Sequence, residues 1–245
     1  MNYQNKVVLI TGASSDIAKE MAHFFSKKKA IVILTYYHSK EKVIELQKEL
    51  VNEYHNIVDV HSLNLCKEDS VISLYNYVNK KYHYVDILIN NAALSLDNAI
   101  PDKTKEEFMN VLKTNVVGTF LMMKYFDNIM SNGYIFNMSS TDGIDTGNVY
   151  SIDYNSSKAA INNMTKTFAL YSKNIIISLC PNWINTESTR KMDKEYLECE
   201  LKRVHQKELI KPSVLSKVID KCIKENMASG SIIRIEGEKD VRRVD

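Results

Sequence analysis

The sequence predicts an α/β fold: a single domain built on a doubly wound parallel sheet of about seven strands, with helices on both faces. Three observations carry this expectation. Short apolar runs alternate with longer amphipathic stretches along most of the chain, the pattern of successive βαβ units. The first such run, Val7-Val8-Leu9-Ile10, ends in a glycine turn that opens directly into a helical pattern. The 245 residues suit one domain of the larger kind, and no Pro/Gly/Ser-rich linker or charge block divides them.

Taken in order, strands are expected over residues 6–10, 31–36, 58–62, 86–90, 134–138, 175–180 and 231–235, short runs that alternate with the amphipathic stretches. Helices are expected over 16–28, 40–54, 67–81, 105–130, 153–172 and 212–225, where apolar residues recur at helical spacing. Residues 182–211 break the alternation and carry dense mixed charge, so they read as a lid at the C-terminal edge of the sheet. The helices over 105–130 and 153–172 hold more apolar residues than one core face needs, among them Phe120, Met122, Met123, Phe126, Met164 and Phe168. A contact between copies of the chain, or a surplus of core, accounts for them.

Composition excludes several classes. The net charge of +2 is too balanced for a polyanionic partner. The run Lys27-Lys28-Lys29 falls at an expected helix end, where positive charge suits the macrodipole, so no nucleic-acid partner is expected. No apolar stretch approaches the roughly 20 residues of a membrane span, and the first apolar run is too short for a signal peptide. Cys66, Cys180, Cys199 and Cys222 show no C-x-x-C spacing, and no histidines pair at metal-site spacing. A cytoplasmic protein without a structural metal is the expectation. With only seven glycines in the chain, glycine-based motifs are expected in eroded form.

The first turn, Thr11-Gly12-Ala13-Ser14-Ser15-Asp16-Ile17-Ala18, joins a strand to a helix N-terminus, where unpaired N–H groups and the helix dipole face one point and make an anion site. A plain strand-to-helix turn capped by Ser15 or Asp16 is the alternative. A carboxylate about 7 Å from a pyrophosphate costs on the order of 2 kcal/mol at an effective dielectric near 20. Asp16 is therefore expected to cap the helix and point away, while the backbone of Ser14 to Ile17 lines the phosphates. The second strand ends in Tyr36-Tyr37-His38-Ser39-Lys40, with no carboxylate for a ribose 2′-hydroxyl, which leans the cofactor from NAD toward NADP. Asn64, just past the third strand, is placed to meet an adenine edge.

Tyr154-Asn155-Ser156-Ser157-Lys158, preceded by Met138-Ser139-Ser140, sets a phenol and an ammonium one turn apart on an expected helix. A free phenol titrates near pH 10, and lowering that to about 7 needs roughly 4 kcal/mol, for which a neighbouring cation is one source.

With the glycine turn, Asn90-Asn91-Ala92-Ala93 after the fourth strand, Asn115 in Thr-Asn-Val-Val-Gly, Ser140, and Tyr154-x-x-x-Lys158 all in order, the chain resembles the short-chain dehydrogenase/reductases over essentially its whole length. The resemblance implies a Rossmann-type sheet, an NAD(P) cofactor, and a catalytic set of Asn115, Ser140, Tyr154 and Lys158. Hydride would pass between a nicotinamide and a carbonyl carbon, with Tyr154 as general acid/base. Lys158 would lower the phenol pKa and hold the nicotinamide ribose, Ser140 would hold the substrate oxygen, and Asn115 would hold a water linking Lys158 to solvent. Asn90 would support the central sheet. The cofactor would lie against Gly12, Ser14, Ser15, Asp16 and Ile17, then Tyr36 and His38, Asn64 and Leu65, Asn91, Ala92 and Ala93, then Tyr154 and Lys158, and finally Pro181, Asn182, Ile184 and Thr186. Departures from the family pattern are Asp16 and Ala18 for glycines, Ala93 for glycine, Asn64 for aspartate, and Asn182 where Pro-Gly is frequent; asparagine suits that place if its φ is positive.

The substrate pocket is expected near Ser95 and Leu96, along 142–149, and from Asn182 with Trp183 through the lid. Asp142 and Asp145 would favour a polar or cationic substrate unless they are turn residues. Chains of this pattern resemble the 3-oxoacyl-[acyl-carrier-protein] reductases, which implies NADPH-linked reduction of a 3-oxoacyl group carried on an acidic carrier protein, with Lys124, Lys202 and Arg203 as docking candidates. Reduction of a sugar, polyol or amino-ketone is the alternative. A cofactor-binding scaffold without turnover is the alternative of another class. The family also implies a homodimer or homotetramer.

Overall fold

Each central strand sends alternate side chains to opposite faces of one sheet, so every strand needs cover on both sides. Residues 2–244 are described by a computed structural model. The strands are β1 (Val7–Ile10), β2 (Ile31–Tyr36), β3 (Val58–Ser62), β4 (Ile87–Asn90), β5 (Tyr134–Met138), β6 (Ile175–Pro181), β7 (Ile232–Ile235) and β8 (Val241–Val244). They lie in the order β3-β2-β1-β4-β5-β6-β7-β8, parallel up to β7, with β8 antiparallel at the edge. The order reverses between β1 and β4, which opens a crevice at the carboxyl ends of the strands.

Val8, Ile10, Val32, Leu34, Ile87 and Ile89 pack on one face beneath α1 (Asp16–Lys27), α2 (Lys40–Tyr54) and α9 (Ser213–Lys224). Val7, Leu9, Ile33, Leu88, Ile135 and Ile176 pack on the other, beneath α3 (Glu68–Tyr82) and α5 (Gly118–Phe126). With both faces covered, the strands read as unbroken apolar runs.

Three expectations need correction. An eighth strand was not foreseen, because Val241-Arg242-Arg243-Val244 reads as a charged tail; a tight hairpin, closed by Glu236 N–H to Asp240 O at 2.9 Å and an Arg242–Glu236 ion pair, folds it back onto β7. The single helix expected over 105–130 is divided into α4 (Lys105–Leu112), a π-helical turn (Lys113–Val117) and α5. Gly118 sits at that join because a Cβ there would lie 2.6 Å from Leu65 Cβ. The 182–211 segment holds two helices, α7 (Glu187–Arg190) and α8 (Lys194–Arg203), and its ends are stitched together where Ile210 pairs with Trp183, Ile184 and Asn185. The remaining helix, α6 (Ile152–Ala169), carries Tyr154 and Lys158.

Candidate active site

A cavity of about 840 Å³ runs along the carboxyl ends of the central strands. Its first part is the glycine turn. Gly12 has a φ of +68°, and a Cβ there would lie 2.8 Å from Ala92 Cα, so only glycine lets the loop after β4 come this close. Thr11 fixes that approach: its hydroxyl accepts the N–H groups of Asn91 and Ala92, each at 3.0 Å, while Asn91 Nδ2 returns bonds to Thr11 O and Gly12 O. Ser14, Ser15, Ile17, Tyr36, His38, Asn64, Leu65, Asn91, Ala92, Ala93, Pro181, Asn182, Ile184 and Thr186 all face the same cavity, as do Tyr154 and Lys158.

Asp16 does not: it points away as expected, but it neither caps the helix nor reaches the expected cofactor contact. The helix cap is Ser15, whose Oγ accepts Ala18 N–H at 3.2 Å; Asp16 is the first helical residue. Its carboxylate turns toward the 182–211 segment, where it accepts Glu187 N–H at 2.5 Å and pairs with Arg190 at 3.1 Å. Asn182 also differs from expectation, since its φ is not positive. Its N–H bonds Ile235 O and its Oδ1 accepts Trp183 N–H, while Nδ2 is buried in the cavity wall without a partner. A cradle with no room for a Cβ at Gly12 and an orphaned amide at Asn182 fit a bound dinucleotide. At the end of β2 the wall is Tyr36, Tyr37, His38 and Ser39, with no carboxylate among them.

The polar residues of the second part are set by backbone contacts. Ser140 lies two residues past β5 and caps a 3-10 turn (Thr141–Gly143), its Oγ accepting Asp142 N–H at 3.1 Å. That turn lies flat on α6, and a Cβ on Gly143 would meet the Lys158 carbonyl carbon at 2.5 Å. Ser139 Oγ donates to Lys158 O, and Lys158 Nζ donates to Met138 O at 2.7 Å. The ammonium stands 5.1 Å from the centre of the Tyr154 ring. Thus Ser140, Tyr154 and Lys158 meet at one wall.

Asn115 lies in the π-helical turn and is fully buried, not on an exposed helix face. Its amide pairs with both the N–H and the C=O of Leu94, and Nδ2 also donates to Ser157 Oγ at 3.0 Å. It ties α6 to the loop after β4. Asn90 bonds Asn137 across β4 and β5 at 2.8 Å, supporting the sheet as expected.

Electrostatics overturn one expectation. The Tyr154 phenol is raised above its ordinary value, first by burial and then by the charges of Asp142 and Asp97; Ser140 lowers it in part. Lys158 is pulled down to about 8 by burial. Burial and two nearby carboxylates outweigh the helical-turn cation, so the phenol is held protonated.

Beyond Tyr154 the cavity is walled by Ser95, Asp97, Asp142, Asn148, Ser151 and Tyr196, with Trp183 and Met192. Asn148 and Tyr196 fall within the expected 142–149 and lid stretches and Asp97 follows Leu96, whereas Ser151, just before α6, was not foreseen. Ser151 Oγ donates to Asp97 at 2.8 Å and Asn148 Nδ2 to the Tyr196 hydroxyl at 2.8 Å, joining three separate segments. Leu96 and Asp145 are not part of this wall; Asp145 instead takes a forked contact from Arg234 at 2.6 and 2.7 Å. Two of the three docking candidates are already paired, Lys124 with Glu68 at 3.0 Å and Arg203 with Glu200 at 2.7 Å. Away from the cavity, His23, Glu49 and Glu53 gather on α1 and α2 with ligand atoms within 4.8 Å, although Lys19 already binds Glu49.

The short chain dehydrogenase family model matches residues 6–197. The chain is 32% identical over 245 aligned residues to a 3-oxoacyl-[acyl-carrier-protein] reductase of Thermotoga maritima, covering 97% of this chain and 98% of that one. A 3-oxoacyl-[acyl-carrier-protein] reductase of Aquifex aeolicus is 30% identical over 198 residues, covering 78% and 79%. Among solved structures, the L-sorbose reductase of Gluconobacter frateurii, complexed with NADPH and L-sorbose, superimposes with a TM-score of 0.86 at 20% identity, covering 97% and 98% of the two chains. A short-chain dehydrogenase/reductase of Serratia marcescens gives 0.88 at 18% identity, covering 96% and 98%. The doubly wound sheet, the order of motifs along it and a match spanning most of the chain agree: the protein belongs to the short-chain dehydrogenase family and is an oxidoreductase acting on a CH–OH group or the corresponding ketone.

Proposed function

We propose that the protein reduces a ketone to a secondary alcohol with NADP(H). The observation that carries this is the meeting of Ser140, Tyr154 and Lys158 at one wall of a cavity whose other end is the Gly12 cradle. The missing carboxylate at the end of β2 supports NADP(H) over NAD(H). A bound NADPH supplies the hydride. Gly12, Ser14, Ser15, Ile17, Asn91 and Asn182 hold the cofactor, with the orphaned Asn182 amide as a free donor. Ser140 Oγ donates to the substrate oxygen and stabilises the charge that builds there. Tyr154, kept protonated by burial, gives its proton to that oxygen, a transfer worth roughly 10² to 10⁴ in rate. Lys158 resupplies positive charge beside the phenolate so formed. Asn115 holds α6 to the loop after β4; a water between it and Lys158 would complete a path for the proton.

The names of the two relatives support a 3-oxoacyl group on an acyl carrier protein as substrate. Asp97 and Asp142 at the substrate end support a second reading, a hydroxylated or cationic ketone such as a sugar or amino-ketone. For assembly, Phe120 remains exposed beside Met109 and Val117, whereas Met122, Met123 and Phe126 are spent on the core and Met164 and Phe168 pack against it. Those exposed apolar residues support a homodimer or homotetramer.

The test is oxidation of NADPH and of NADH against acetoacetyl thioester, simple sugars and amino-ketones, with Tyr154→Phe as control. Wild type turns over at least one ketone, and Tyr154→Phe keeps its NADPH affinity while losing at least about 10² in rate. A variant with more than a tenth of the wild-type rate would sink the role of Tyr154. Equal NADPH binding with no turnover on any ketone would favour a scaffold.

A further inference from the structure

A buried ion pair lies behind the substrate wall. Asp153, the residue before Tyr154, is wholly buried, and the Lys103 side chain is 4% exposed. Lys103 Nζ stands 3.1 Å from Asp153 Oδ2, an ionic contact without an aligned hydrogen bond, and it donates to the carbonyl of Leu96. The other carboxylate oxygen, Oδ1, accepts the N–H of Tyr154 at 2.9 Å. One ammonium therefore touches both the substrate-side loop and the first turn of α6. Further bonds run beside it: Asn98 N–H reaches Tyr150 O at 2.9 Å, and Ser151 Oγ reaches Asp97 at 2.8 Å.

Stability does not explain the pair. Removing two charges from water costs more than their attraction returns in many proteins, and an apolar pair of the same shape would serve as well or better. What an apolar pair lacks is direction. The ammonium is held at a fixed distance from two points: Leu96, in the loop that gives Leu94, Ser95 and Asp97 to the cavity lining, and Asp153, next to the lining residue Tyr154.

We propose that Lys103 and Asp153 are a positioning pair that locks the 94–102 loop onto the N-terminus of α6 and so fixes the distance between the substrate-side wall and the Tyr154 hydroxyl. The proposal rests on the reading of Tyr154 as proton donor, and its test separates the two. The informative variant is the double exchange Lys103→Met with Asp153→Asn, which removes both charges, keeps both shapes and leaves a side-chain amide oxygen to accept the Tyr154 N–H. The single Lys103→Met strands a buried carboxylate and puts folding itself at risk, so the double variant decides the matter.

The double variant should keep its Tm within about 4 °C of wild type and its NADPH affinity within twofold. Its kcat for acetoacetyl thioester, or for the most active ketone of the panel above, should fall at least about tenfold, since sub-ångström misplacement at a reacting centre is costly. Deuterium at the transferred position of NADPH should then slow turnover more than in wild type, because chemistry has become limiting. Lys103→Arg, which keeps charge and reach, should hold most of the wild-type kcat. Hydrogen exchange supplies an arm independent of turnover: amides of 94–102 should exchange faster in the double variant while those of β1 and β4 do not change. A double variant with wild-type kcat, or one whose loss of rate only follows a loss of NADPH affinity or of Tm, would overturn the proposal. If wild type reduces no ketone the proposed activity fails, and unchanged exchange at 94–102 would then overturn the positioning pair by itself.

Discussion

Replacing Lys158 by methionine should make the protein more stable and inactive at once. The lysine is buried with its pKa drawn from 10.5 to about 8, so at pH 7 the folded state carries a penalty of about 3 kcal/mol for keeping the ammonium charged. Methionine fits the space of the aliphatic stem and carries no charge. Against this gain stands the carbonyl of Met138, which loses the donor it now has at 2.7 Å, a cost of about 1 to 2 kcal/mol. The variant is thus expected to gain about 1 to 2 kcal/mol at pH 7, or roughly 2 to 8 °C in Tm for a chain of this length. The sign reverses with pH. Between pH 8 and 10.5 the unfolded lysine holds a proton that the folded one has lost, so wild-type stability from this group rises through that window. Above it the penalty is gone and only the lost hydrogen bond remains, leaving the variant the less stable of the two. Urea denaturation of both proteins at pH 7 and pH 10 measures the crossing, and ketone-dependent NADPH oxidation measures the loss of turnover, expected at about a hundredfold or more. A variant less stable than wild type by the same amount at both pH values would refute the reasoning, because it would show that the ammonium is solvated or paired in the fold.

Gly143→Ala should lower Tm and kcat together: a Cβ 2.5 Å from backbone of α6 forces the turn off the helix at a cost of about 1 to 3 kcal/mol and moves Ser140 away from Tyr154. Thermal melts and initial rates test it, and wild-type values for both would show that the turn has room to spare. Asp16→Ala should cost under about 1 kcal/mol, since its bonds to Glu187 and Arg190 are exposed, yet amides of 187–191 should exchange faster as the segment over the cavity loosens. Identical exchange in the two proteins would mean that Asp16 does not hold that segment.

The parts of the fold legible in the chain are those fixed by periodicity and by single residue types. Seven parallel strands were readable because strands covered on both faces are continuously apolar, and runs such as Val7–Ile10 and Ile87–Asn90 are too short for helices and alternate with amphipathic stretches. Gly12 was readable because close approach to Ala92 excludes every other residue. What escaped depends on contacts between distant segments. The π-helical turn at Lys113–Val117 leaves the apolar spacing of a continuous helix intact, so its effect on Asn115, turning the amide inward onto Leu94 and Ser157, has no local signature. Val241–Val244 becomes a strand only because β7 offers a free edge. Asn148 and Tyr196 lie in stretches expected at the pocket, but that their side chains bond one another there depends on how the loop after β5 meets α8, which has no local signature.

The same limit explains the reversal at Tyr154. A tyrosine and a lysine one turn apart predict a lowered phenol pKa if the pair stands alone, since the helix fixes their separation and the cation is the nearest charge. Burial changes the comparison twice. It raises the cost of the phenolate directly, and it weakens the cation, because the same desolvation brings Lys158 down to about 8. Asp142, expected at the pocket as a substrate contact, and Asp97 then add negative charge whose effect on the phenol the Tyr-x-x-x-Lys spacing does not include. A phenol so placed holds its proton until a stronger demand appears, which is the state required of a donor to a carbonyl oxygen that becomes an alkoxide as hydride arrives. The two carboxylates therefore bear on direction as well as on substrate: neutralising one, as in Asp142→Asn, moves the phenol pKa down, so that more of Tyr154 stands as the phenolate that alcohol oxidation needs and less as the protonated donor that reduction needs.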